Sequence, residues 1–183
     1  MCSSLSAVRP ALLRFAVVGQ YGAAVGGVLG ATDMHSRTLL SDCTVSGGTL
    51  SGGMNVGGIT GGAGLYSSVT VSGCVNETPV TASLSGAGGM IGTADTLQVV
   101  GCINTASIRG GVSPSDGMPA IGTGGIAGGS GFSWITGCTN SGPITGPEGT
   151  GGIIGSTRVK GSASESFIYN QTVLRWCVNT ADV

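Results

Sequence analysis

The sequence predicts an all-β chain wound as a parallel β-helix, a solenoid of about five coils, right-handed by the usual crossover sense. Three observations predict it. Glycine fills 37 of 183 positions, a Gly-Gly-apolar-x-Gly string recurs five times, and a cysteine-centred string follows each copy in a fixed register. A fixed period outranks local propensity, because it means that one small unit is built several times over.

Composition removes several classes. Hydrophobic residues make up 40% of the chain, charged residues 8%, and the net charge is −1. That is the reverse of a disordered composition. The glycines follow no three-residue period and only six prolines occur, which excludes collagen. Seven basic and eight acidic residues, scattered without runs, give no electrostatic footprint for nucleic acid or an anionic membrane. No window reaches the roughly eighteen apolar residues of a spanning helix. With aromatics at 4%, the core has to be assembled from Val, Ile, Ala, Cys and Thr.

The chain divides into an N-terminal segment or partial coil, 1–24, and a solenoid repeat domain, 25–183, whose last unit is truncated. In the first segment Arg9 precedes a short apolar run, but Arg14 interrupts it, a poor match to a secretory signal. The glycine string then appears at Gly26–Gly30, Gly57–Gly61, Gly88–Gly92, Gly124–Gly128 and Gly151–Gly155, with starts 31, 31, 36 and 27 residues apart. The second string is centred on Cys43, Cys74, Cys102, Cys138 and Cys177. Three residues before each stands Leu40, Val71, Val99, Ile135 or Leu174; immediately after stands Thr44, Val75, Ile103, Thr139 or Val178. Two after, the residues are Asn76, Asn104, Asn140 and Asn179, with Val45 in the first copy. Six after come Val80, Ile108, Ile144 and Val183, the first copy offering Thr49 beside Leu50.

Each unit therefore holds three short β-favouring runs separated by Gly, Asn, Ser and Pro, with no ten-residue stretch of helical periodicity. Such a unit buries no apolar face alone, whereas stacked copies share one continuous core. Equivalent strands pair in parallel about 4.8 Å apart, so equivalent residues form ladders along the stack. Glycines serve the corners, where positive φ or close backbone approach is needed. A barrel or propeller would need hairpin turns, and the strand-joining Asn-Gly and Asp-Gly pairs are almost missing; Asp116-Gly117 lies in an insertion.

Ladder register sets the expectation for the cysteines. Five thiols stacked one strand spacing apart point the same way, while a disulfide brings Cβ atoms to about 3.8 Å. They are expected to be reduced core residues, with Cys2 left over. A zinc site would want Cys-x-x-Cys pairs or several histidines, and the sequence has neither. The asparagines are expected to bond backbone and stacked neighbour at a corner. These nine residues, Cys43, Cys74, Cys102, Cys138, Cys177, Asn76, Asn104, Asn140 and Asn179, form the expected structural ladder.

No catalytic, cofactor-binding or metal residues are assigned. Gly122–Ala127 formally matches a dinucleotide fingerprint but sits inside the repeat with no helix after it. His35 is the only imidazole, with Asp33 and Asp42 near it in sequence. The carboxylates Asp33, Asp42, Glu77, Asp95, Asp116, Glu148, Glu165 and Asp182 fall mostly at turns and in different columns, whereas glycoside hydrolysis wants two facing each other at about 5–10 Å. No Thr column recurs in all coils, as a flat ice-binding array would require. Solenoids carry function on insertions and exposed faces, because the stacked strands are committed to packing. Two insertions stand out, Arg109–Ile121 and Ser156–Ser166. The second, with Arg158, Lys160, Glu165 and adjoining Tyr169, joins exposed Trp134 as the candidate contact surface.

The unit Gly124-Gly125-Ile126-Ala127-Gly128, followed by Ile135–Gly146, resembles the GLUG-type repeats of bacterial surface proteins and adhesins. The resemblance extends over 25–183. It implies an extracellular or cell-surface, noncatalytic β-solenoid module with a glycan or protein partner and no cofactor. The chain lacks a clear signal or anchor and stops midway through its fifth unit, which reads as a fragment or truncated frame. Its open ends would then meet neighbouring coils or self-associate. The competing expectation is a carbohydrate-active β-helix enzyme of the lyase or glycosidase type.

Overall fold

The structure, a computed structural model, describes residues 16–18, 24–111, 122–147, 149–157 and 171–183. Among these, every element is a β-strand and every pairing is parallel, forming three sheets. The chain is a β-solenoid. The main path of each sheet takes strands from successive coils in sequence order, which is how a wound chain differs from a barrel closed by hairpins.

The first sheet runs Ala16–Val18, Thr49–Gly57, Val80–Gly88, Ile108–Gly110, Ile144–Thr145, with Val25–Gly26, Thr123–Gly124 and Thr150–Gly151 paired beside this path. The second holds Leu29–Thr32, Thr60–Ala63, Ile91–Val100, Ala127–Thr136 and Ile154–Ser156, together with Arg37–Ser41, Ser68–Ser72 and Gln171–Arg175. The third contains five two-residue strands from Thr44–Val45 to Val178–Asn179. Ala16–Val18 pairs with Thr49–Ser51, so part of the segment before residue 25 is wound into the stack.

Every sequence column is a physical column. Leu40, Val71, Val99, Ile135 and Leu174 are successive register partners. Leu50, Val80, Ile108 and Ile144 form another, and the same backbone bond recurs along it, from Leu50 N to Pro79 O and onward to Ile144 N with Asp182 O. These columns line the interior: Leu50, Val71, Val80, Val99, Ile108 and Ile135 are essentially inaccessible. The residues after each cysteine, such as Ile103 and Val178, point outward instead.

Glycines keep the cross-section thin. In Gly88-Gly89, a Cβ on Gly88 would run into the Ile91 carbonyl oxygen, and one on Gly89 would lie 2.6 Å from Asn104 Cγ and against the Gly125 carbonyl oxygen. The second glycine of each string faces the column two after the cysteine: Val45 opposite Gly27, then Asn76, Asn104, Asn140 and Asn179 opposite Gly58, Gly89, Gly125 and Gly152. Close approach accounts for these glycines. Positive φ is needed elsewhere, in the residue before each cysteine: Asp42, Gly73, Gly101, Gly137 and Trp176 lie between 53° and 63°.

The distance from glycine string to cysteine, 17 residues in the first two coils and 14 in the next two, also has a structural cause. In the first two coils a corner inserts residues that carry His35 and Tyr66 at φ 56° and 59°, their rings stacked at 5.2 Å. The third coil omits that corner loop, and Asp95 Oδ2 accepts the Tyr66 backbone N–H at 2.7 Å.

Candidate functional site

The interior asparagines bond one another, whereas the buried hydroxyls of Thr32, Thr60 and Thr136 have no hydrogen-bond partner. Asn76 Nδ2 donates to Asn104 Oδ1 at 2.8 Å, Asn104 Nδ2 to Asn140 Oδ1 at 2.7 Å, and Asn140 Nδ2 to Asn179 Oδ1 at 2.7 Å. Each Nδ2 also donates to the carbonyl two residues on, at Thr78, Ala106, Gly142 and Ala181. Asn76, Asn104 and Asn140 have no solvent contact. Both amide hydrogens are therefore satisfied, as burial of a carboxamide demands.

The thiol ladder is equally internal. Cys43, Cys74, Cys102 and Cys138 are buried, Cys177 is half-buried, and none is in a disulfide. Cys43 N donates to Cys74 Sγ and Cys74 N to Cys102 Sγ, each at 3.4 Å. Hydrogen bonding to the Cys138 and Cys74 sulfurs, together with burial, pushes the Cys102 thiol far above its ordinary range. The middle sulfur thus keeps its proton. The neighbouring Cys102 thiol draws Cys74 and Cys138 down, to about 6 and about 7. Among the described residues no group of three or more His, Cys, Asp or Glu side chains converges as a metal site, and no helix is long and apolar enough to cross a membrane.

The outward face of the second sheet brings exposed side chains from several coils together. From residue 96 onward, Ile91–Val100 alternates outward Thr96 and Gln98 with inward Leu97 and Val99. In Ala127–Thr136, Phe132 and Trp134 point out while Ser133 and Ile135 point in. Register places Phe132 between Thr96 and Gln171, and Trp134 between Gln98 and Val173. These six residues line a cleft of about 280 Å³ across three coils. Trp134 is 50% and Phe132 37% exposed; Tyr66 and Trp176 are exposed as well, but the Phe132 and Trp134 rings stand side by side on one strand. Arg175 lies over the Trp134 ring, its Cζ 5.8 Å from the centroid, and steadies the indole.

Of the expected contact residues, Trp134 is therefore in place on an exposed face, while Arg158, Lys160, Glu165 and Tyr169 lie outside the described residues, as do Cys2, Asp116 and Glu148. The sequence reading missed Phe132, Gln98, Thr96 and Gln171. Alternation in 96–100 and 132–136 was the available signal, but it becomes a shared surface only after strands from different coils are registered. None of the described carboxylates lines the cleft. Gly122–Ala127, the formal dinucleotide string, contributes to strands Thr123–Gly124 and Ala127–Thr136. His35 is stacked on Tyr66, and Asp33 Oδ1 accepts the Met34 N–H.

Comparison of the chain with protein-family models, with curated proteins and with solved structures found no match.

Proposed function

We propose that this chain is a noncatalytic structural and adhesive repeat module of a cell-surface or secreted protein, holding one rigid outward face toward a glycan or protein partner. The observation that carries the reading is the Trp134 cleft: aromatic surface left exposed on a stack whose interior asparagines bond one another. A parallel solenoid positions such a face on backbone ladders rather than on loops, so the partner meets a preformed surface. The resemblance of the units to GLUG-type repeats of surface proteins and adhesins supports the same reading.

The test pairs attachment with turnover. Immobilised chain is offered intact cells, a glycan array and extracellular-matrix proteins, and the same protein is incubated with a polysaccharide panel while new reducing ends and unsaturated products are assayed. Saturable retention without product is expected. Product release would replace the module reading with a carbohydrate-active enzyme, and absence of retention on every surface would remove the adhesive role.

A further inference from the structure

We infer that the cleft formed by Thr96, Gln98, Phe132, Trp134, Gln171 and Val173 is a binding site for a neutral saccharide chain. The inference rests on the attachment reading above and narrows it to one ligand class.

The chemistry of the lining selects the ligand. Phe132 and Trp134 sit two residues apart on one strand, hence about 7 Å apart along it. Their faces take up the C–H side of a ring but offer no partner for several hydroxyls. Those partners stand in the coils on either side: the Gln98 amide and Thr96 hydroxyl on one, the Gln171 amide on the other, each about 4.8 Å away across the ladder. A carboxamide both donates and accepts, which suits a hydroxyl in either orientation. The matching molecule is apolar on its faces and hydroxylated around its rim, as a pyranose is.

Charge narrows the class further. None of the six lining side chains is ionisable. A sulfated or uronic chain would bring anions to a surface beside which, among the described residues, the cation Arg175 is already seated over Trp134. Neutral sugars bring nothing that needs compensation.

Size separates a sugar from a protein partner. About 280 Å³ is room for one or two rings, at the lower limit of small-ligand pockets of roughly 300–1,000 Å³. A stable protein interface needs about 800 Å² from each side. The apolar patch does not extend to supply it: beyond Thr96 and Gln98 the same columns continue as Ser68 and Thr70. Because the cleft crosses three coils, a linear saccharide would lie along the solenoid axis with successive rings over successive rungs.

The chain contains only two tryptophans, so Trp176→Phe leaves Trp134 as the sole indole reporter. In that background, emission is titrated with neutral gluco-, xylo-, manno- and galacto-oligosaccharides, and with sulfated and uronic oligosaccharides for comparison. The inference expects a saturable change with at least one neutral series and none with the anionic ones. By calorimetry, affinity for that series should fall about tenfold or more in Trp134→Ala and in Gln98→Ala. Both side chains are exposed, so the far-ultraviolet spectrum and melting temperature should not move. Absence of a saturable response to any neutral series, response to anionic chains alone, or unchanged affinity in both variants would each overturn it. If cells or proteins remain bound by Trp134→Ala while the sugar titration is silent, the saccharide site falls and the module reading stands. If Trp134-dependent sugar binding is accompanied by product release, the module reading falls and the site stands.

Discussion

Asn104 Nδ2 donates to Asn140 Oδ1 at 2.7 Å although the two residues are 36 apart in the chain and an insertion lies between them. Sequence distance between coils is variable, yet the amide row passes through without a break.

Truncation in the middle of that row should cost far more than truncation at its last member. Asn104→Ala removes the acceptor of Asn76 Nδ2 and the donor to Asn140 Oδ1 and to Ala106 O, all buried. At about 1–3 kcal/mol per unsatisfied buried group, the expected loss is about 3 kcal/mol or more. Asn179 is exposed, and Asn179→Ala should cost under about 1 kcal/mol. Chemical denaturation of the two variants side by side checks the difference; equal losses would mean the row is not the source of the stability.

Gly89→Ala should be among the most damaging single-methyl additions in the chain. The new Cβ would lie against the Gly125 backbone carbonyl and 2.6 Å from Asn104 Cγ, so the backbones of adjacent rungs would have to part. A loss of about 3 kcal/mol is expected, at the upper end of the overpacking range. Lost soluble expression or a markedly lowered denaturation midpoint is the readout, with near-wild-type stability counting against the thin cross-section.

Backbone conformation alone can be isolated at the position before each cysteine. Gly101 has φ 61° with nothing within 4 Å of an added Cβ, so Gly101→Ala should cost about 1 kcal/mol without any clash. Trp176 occupies the same left-handed conformation at φ 53° and is 80% exposed. Trp176→Gly should therefore gain about 0.5–1 kcal/mol, seen by circular dichroism as a shift in denaturation midpoint. Opposite signs at one column are the signature sought.

Thiol labelling should divide the ladder. In the native protein a thiol reagent should modify Cys177 and leave Cys43, Cys74, Cys102 and Cys138 untouched until the chain is unfolded, because only the first is partly open to solvent. Peptide mapping by mass spectrometry reads this directly. Rapid native labelling of Cys102 would contradict its place between two sulfurs.

The winding was legible because three residue types recur at fixed offsets. Leu40 with Val71, Cys74 with Cys102, and Asn104 with Asn140 were paired by counting, and the backbone pairs them in the same way. Two features escaped counting. The left-handed column is masked where Asp42 and Trp176 replace glycine, so its conformation shows only in the backbone. The cleft escaped because Gln98, Trp134 and Val173 share no residue type; nothing but register brings an amide, an indole and a valine to one surface. Repetition reveals the scaffold, and the surface differs from coil to coil.

All the carboxamides of the interior row point the same way, amino group toward the later coil. Their dipoles add, much as peptide dipoles do in a helix, giving the stack a positive and a negative pole. A rung turned upside down would set amino group against amino group. The molecule therefore accepts further rungs in a single orientation, and an inverted copy of the unit cannot be spliced into it without silencing the row.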